Sequence, residues 1–231
     1  MKLDRAELAA IQYEVVRCRA CPRLVAHREQ VADRKTKRFA HETYWGRPLP
    51  SFGDPAARLL IVGLAPAAHG GNRTGRMFTG DRSGEWLFEA MHRTGFANQP
   101  NSIARDDGLE LRDAYISATV RCAPPGNKPS RTEIETCRPF LLRELQALRS
   151  LRVVLALGKV AFDGFLAAWA GIGGQLQRPR PQFAHGASFP LSGRLQLLAS
   201  YHPSQQNTFT GRLTRPMLHA VFREARQLLE A

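Results

Sequence analysis

Four short runs rich in Val, Ile, Leu and Ala punctuate the chain: Arg58 to Val62, Ala114 to Val120, Arg152 to Leu157 and Leu195 to Ser200. They read as buried parallel strands. Between them the apolar spacing becomes that of a helix, over Asp81 to Thr94, Arg131 to Leu148 and Lys159 to Ala170, and Thr214 to Leu229 closes the chain. Strands alternating with helices in this way predict a doubly wound α/β domain. Ahead of the first strand, Leu8, Ile11, Val15 and Val16 predict an amphipathic helix over Asp4 to Arg17. A basic, irregular stretch follows from Arg23 to Lys37. Tyr44 to Pro55 holds too many prolines and glycines for regular structure and reads as a loop draped over the sheet. Arg178 to Gly186 reads as a surface loop before the last strand for the same reason. Ser130 with Glu133 fits a capping box, and Pro216 a first-turn proline. Pro139 predicts a kink or break near Cys137.

Size and charge narrow the class. A chain of 231 residues, 43% hydrophobic, buries one sizeable core and is expected to form a single domain over 1–231. It has no run of 18 apolar residues and no apolar leader after Met1, so a cytoplasmic protein without a membrane partner is expected, as a monomer. The net charge is +13 although Asp and Glu number 20, which describes a folded protein with a basic surface. Nucleic acid is the natural partner for such a surface, and solubility charge is the alternative.

Two features carry chemistry. The first strand runs directly into Gly63-Leu-Ala-Pro-Ala-Ala-His-Gly-Gly-Asn-Arg-Thr-Gly-Arg-Met-Phe-Thr-Gly-Asp81. Small residues at a strand's C-terminal end let a ligand approach the backbone, and open α/β sheets bind ligands there. The second feature is the set of four cysteines, Cys18-x2-Cys21 and Cys122-x14-Cys137. In a cytosolic protein they read as a metal site, and four thiolates fit either zinc or a [4Fe-4S] cluster.

With His202-Pro-Ser-Gln-Gln-Asn-Thr-Phe-Thr-Gly211, these segments resemble the uracil-DNA glycosylase superfamily, specifically its family 5 or B-type members. The resemblance covers most of the chain. It implies a three-layer αβα fold with a central four-stranded parallel sheet, a [4Fe-4S] cluster on Cys18, Cys21, Cys122 and Cys137, and removal of deaminated bases from DNA. Better-known members carry an acid or amide in the first motif, whereas here the turn is Leu64-Ala-Pro-Ala-Ala68. Family 5 is defined by that apolar turn, which moves the handling of water elsewhere.

Hydrolysis of an N-glycosidic bond places positive charge on the sugar and negative charge on the departing base. His202 is suited to stabilise the base. Asp81, at a helix start, can cap amides or hold a water, and the resemblance favours the water. Asn127, in the turn after the second strand, is a further candidate for the water or a plain turn residue. Phe78 offers a face for stacking or a core side chain. The turn from Gly63 through Ala65 to Ala67 and Ala68 would bind the base through backbone donors, which admits hypoxanthine and xanthine as well as uracil. Gln205, Gln206 and Asn207 suit contact with the opposite base. Arg73, Arg76, Lys128 and Arg212 are candidate phosphate contacts. The alternative from another class is a non-catalytic nucleic-acid-binding module with a structural metal site. A phosphate-binding hydrolase is disfavoured, since no Gly-Lys-Ser/Thr follows the loop.

Overall fold

The computed structural model describes residues 2–231. Its centre is a six-stranded sheet ordered β1-β3-β2-β4-β6-β5. The inner strands, β2 (Leu59–Gly63), β3 (Ala114–Ala118), β4 (Val153–Leu157) and β6 (Gln196–Ser200), are parallel throughout. They coincide with the four apolar runs. Two antiparallel edge strands, β1 (Phe52–Gly53) and β5 (Ser188–Pro190), extend the sheet beyond the expected four. Both lie in or beside segments whose prolines and glycines read as loop; two or three residues suffice for a ladder once a neighbour is in place.

Alternation along β2 shows how the layers form. Leu59 and Ile61 face one core with helices α4 (Arg82–Arg93) and α8 (Arg215–Glu230), through Leu87, Phe88, Val221 and Phe222. Leu60 and Val62 face the other, with α1 (Lys2–Arg17), α5 (Arg131–Ala147) and α6 (Lys159–Gly171), through Ile11, Val15, Leu141, Phe162 and Phe165. The result is the αβα sandwich.

Three helical segments depart from the sequence expectation. Residues read as irregular form α2 (Pro22–Arg34), which buries Leu24, Val25 and Arg28 on one face, so a charged residue fills a core position. The glycine-rich loop holds one helical turn, α3 (Gly71–Thr74), and the segment after His202 forms α7 (Gln205–Phe209). Pro139 does not break α5, which runs through it. That helix starts on the Ser130–Glu133 capping box, and Glu133 also accepts a two-pronged hydrogen bond from Arg23 at 2.8 and 2.6 Å.

Candidate active site and cysteine cavity

At the C-terminal ends of the inner strands, Gly63, Ala65, Pro66, Ala67, Met77, Phe78, Asp81, Ser83, Ala118 and His202 surround a hollow of about 350 Å3, partly open to solvent. Asp81 and His202 are its only ionisable side chains. The turn that ends β2 supplies its floor. Neither the Ala67 nor the Ala68 amide N–H donates within the described residues, and Ala68 stands outside the lining. Sequence reasoning missed Pro66, Met77, Ser83 and Ala118, which carry no chemical signature of their own.

Asp81 is the N-cap of α4, accepting from the Gly84 amide at 2.9 Å. Burial raises its carboxyl above the usual value, against the Gly84 and Ser83 amides and the charge of Arg73, which pull it down. The carboxylate that caps the helix thus also lines the hollow. Gly70 makes the approach possible, because a Cβ there would collide with the Asp81 carboxylate. Phe78 has φ 53, a left-handed backbone that bulky residues rarely adopt and that costs roughly 1–3 kcal/mol. This conformation brings its ring over Gly63, where a Cβ would come within 2.8 Å of it. The same ring stacks on His202, with centroids 5.7 Å apart at 29°.

Burial pushes the His202 imidazole down to about 4, so it is neutral at neutral pH. Its carbonyl accepts from the Asn207 side-chain amide at 2.8 Å. Asn207 thus fastens the loop that carries His202, while Gln205 and Gln206 project from α7 into solvent. Beside them Phe209 is 67% exposed, and the Arg82 guanidinium lies 4.6 Å from its ring. An exposed aromatic between polar residues was the available signal for it. Asn127 is exposed in a one-turn segment, Pro125–Asn127, at φ 57, and does not line the hollow.

Two of the four candidate phosphate contacts are corrected. Arg73 is buried and bonded to the His69 and Gly80 carbonyls and to Glu42. Arg76 is buried against Asp107, Ser102 and Thr79. Both guanidiniums brace the glycine-rich loop. Lys128 and Arg212 remain exposed.

The four cysteines, far apart in sequence, line one cavity of about 330 Å3 with Leu24, Val25, Val120 and Phe140. All four thiols are free. Burial pushes Cys122 up to about 11 and Cys137 up to about 12, so the thiolate forms need positive charge close by. Arg28, 2% exposed, donates from Nη1 to Cys122 Sγ at 3.0 Å, and its Nε is buried without a partner. Arg121, which also lines the cavity, is bonded to Glu144 at 2.5 Å and to Ser117 at 2.9 Å. Among the described residues no three His, Cys, Asp or Glu side chains stand close enough to hold one metal ion. Four thiols lining one cavity, with a buried guanidinium donating to Cys122, are a donor set that fits an anionic four-thiolate site, whether zinc or a [4Fe-4S] cluster.

Comparison with known proteins agrees with this geometry. The profile described as Uracil DNA glycosylase superfamily matches residues 50–226. The chain is similar to the type-5 uracil-DNA glycosylase of Mycobacterium tuberculosis, 53% identical over 212 residues that cover 91% of this chain and 78% of that one. It is 51% identical to the type-5 enzyme of Thermus thermophilus over 211 residues, 91% of this chain and 93% of the other. The type-4 uracil-DNA glycosylase of Pyrobaculum aerophilum is more distant, 27% identical over 183 residues, 78% and 81% of the two chains. A family match over residues 50–226, with identities above 50% across 91% of the chain, shows that this chain belongs to the uracil-DNA glycosylase superfamily, and within it to the type-5 enzymes.

Proposed function

We propose that the chain, as a single monomeric domain in the cytoplasm, hydrolyses the N-glycosidic bond of uracil, and of hypoxanthine and xanthine, in nucleotides flipped out of DNA. The observation that carries this reading is one strand-end hollow holding a desolvated carboxylate and a neutral imidazole with no other ionisable side chain. The C1′–N bond breaks with its electron pair going to the base. His202 donates to the base's carbonyl oxygen and stabilises that charge. Asp81 orients the water that adds to C1′, accepts its proton, and offsets the cationic sugar. Phe78 supplies the face on which the extruded base stacks. The Ala67 amide, which lines the hollow and has no partner among the described residues, is free to donate to the base, and because a backbone donor does not select among exocyclic groups, deaminated purines are expected as substrates as well. Asn127, exposed on the turn after β3 and outside the hollow, is given no part in this step.

Gln205, Gln206 and Phe209 on α7 fill the space left in the duplex, with Asn207 holding that helix to the His202 carbonyl. Lys128 and Arg212 contact phosphates. Cys18, Cys21, Cys122 and Cys137 hold a [4Fe-4S] cluster whose role is structural, tying α1 and α2 to β3 and α5. A non-catalytic binding module would need the cysteines and the basic surface but not the two groups in the hollow. The test is release of free base from duplexes bearing uracil, hypoxanthine or xanthine, followed by cleavage at the abasic site. Binding without release of any of the three would sink the reading.

A further inference from the structure

A further hollow lies apart from both sites. It is a groove of about 1620 Å3, open to solvent, between α5, α6 and residues 180–183. Ile134, Val160, Ala167 and Phe183 give it an apolar floor, and Arg131, Arg138, Lys159 and Arg180 stand along it. Through Arg180, Pro181 and Gln182 it continues into a second hollow of about 890 Å3, which adds Arg178. Five cations thus face two acids. Each acid is already matched, Glu135 by Arg131 at 2.8 Å and Asp163 by Lys159 at 2.6 Å. Arg178 and Arg180 are exposed and form no ion pair among the described residues.

The groove and the base pocket share no lining residue, but two contacts bring them near one another. Lys159 follows Gly158, whose backbone passes so close to His202 that a Cβ there would lie 3.4 Å from the histidine's own. Phe183 packs on Tyr201, the residue before His202, with centroids 6.0 Å apart. These contacts set one end of the groove beside the segment that carries His202.

We propose that this groove binds single-stranded DNA continuing from the flipped nucleotide, an inference that rests on the glycosylase reading for its substrate. An unpaired strand uses both parts of the groove, its phosphates on the cations and its bases on the apolar floor. A duplex hides its bases and would use the rim alone.

The test uses the whole protein with Arg178→Gln and Arg180→Gln combined, two exposed positions whose loss leaves the core untouched. Binding is measured on undamaged oligothymidine of about 5 and about 15 nucleotides, within the span of single-strand sites. The parent should bind the longer strand more tightly. The variant should lose that gain, and its salt dependence on the longer strand should fall by about 1.4 in log–log slope, about 0.7 for each lost phosphate contact. Saturated excision from a short uracil strand should be unchanged. Arg194→Gln, an exposed cation at the other end of β6, should keep the parental length gain. A variant that retains the parental gain and slope overturns the inference, as does an equal loss in Arg194→Gln. Retained DNA behaviour with weakened binding of a polyglutamate peptide would also overturn it and assign the groove to an acidic protein. If the parent releases no uracil, the glycosylase reading fails instead, which the binding arm reports separately.

Discussion

The base pocket and the cysteine cavity are nearly equal in size, about 350 and 330 Å3, yet they are built by opposite means. All but two of the pocket's lining residues come from one stretch, Gly63 to Ser83; Ala118 and His202 complete it. Its two ionisable groups are shifted toward their neutral forms by burial. The cavity collects four distant segments, with the buried Arg121 in its lining and the buried Arg28 donating to Cys122. In the proposed function a neutral base enters the first, where charge develops only during reaction, and a permanent anion occupies the second. The difference teaches that burial creates a reaction site where charge is transient and demands fixed counter-charges where it is not.

The sharpest way to break this contrast is at Asp81. Asp81→Ala should reduce single-turnover excision by about 10²-fold or more while DNA binding survives. Asp81→Asn keeps a preferred N-cap but removes the base, so it should lose a similar factor. Parental rates in Asp81→Asn would reduce the residue to a cap.

Arg28→Met addresses the other side of the comparison. Removing the cation beside Cys122 should weaken metal retention about 10–100-fold, read as iron remaining after exposure to a chelator. The parental protein, purified without air, should be brown. Zinc at one equivalent in colourless protein would change the ion while leaving the tether.

A smaller effect is expected at Phe209. Replacement by Ala should slow excision from duplex uracil by roughly tenfold, the scale of one lost stacking contact, and leave single-stranded uracil unaffected. Equal losses on both substrates would remove the gap-filling role.

The smallest expected effect is an absence of change across neutral pH. With His202 titrating near 4 in place of the usual 6.5, the rate should show no inflection at the ordinary histidine value. Asp81 acts as a base in its ionised form, and its pKa is raised, so activity should fall as pH drops through a point above the ordinary carboxylate value. A single-turnover profile with an inflection near pH 6.5 would mean that His202 is solvated in the DNA complex.

The sheet was legible because a buried parallel strand leaves a largely apolar run, unbroken in β2 and β4 and interrupted in β3 and β6 only by Ser117 and by the end residues Gln196 and Ser200. The cysteine quartet and the His202 segment were legible as motifs. Helix α2 was not, since its inner face presents Arg28, and a guanidinium turned inward toward a thiol looks in sequence like one turned out. The same ambiguity hid the bracing roles of Arg73 and Arg76. Asn207 reads like its neighbours Gln205 and Gln206; only the turn geometry reveals that its amide is spent on the His202 carbonyl. Phe209 needed exposure to distinguish it from a core aromatic.

The two edge strands bear on how the protein behaves at high concentration. A twisted sheet whose outermost strands were as long as the inner ones would offer neighbouring molecules a full row of unpaired amides and carbonyls. Here β1 ends the sheet with two residues and β5 with three, the last of which, Pro190, has no amide hydrogen. So short a border gives an incoming strand almost nothing to copy, which protects a hydrophobic sheet from growing into an aggregate.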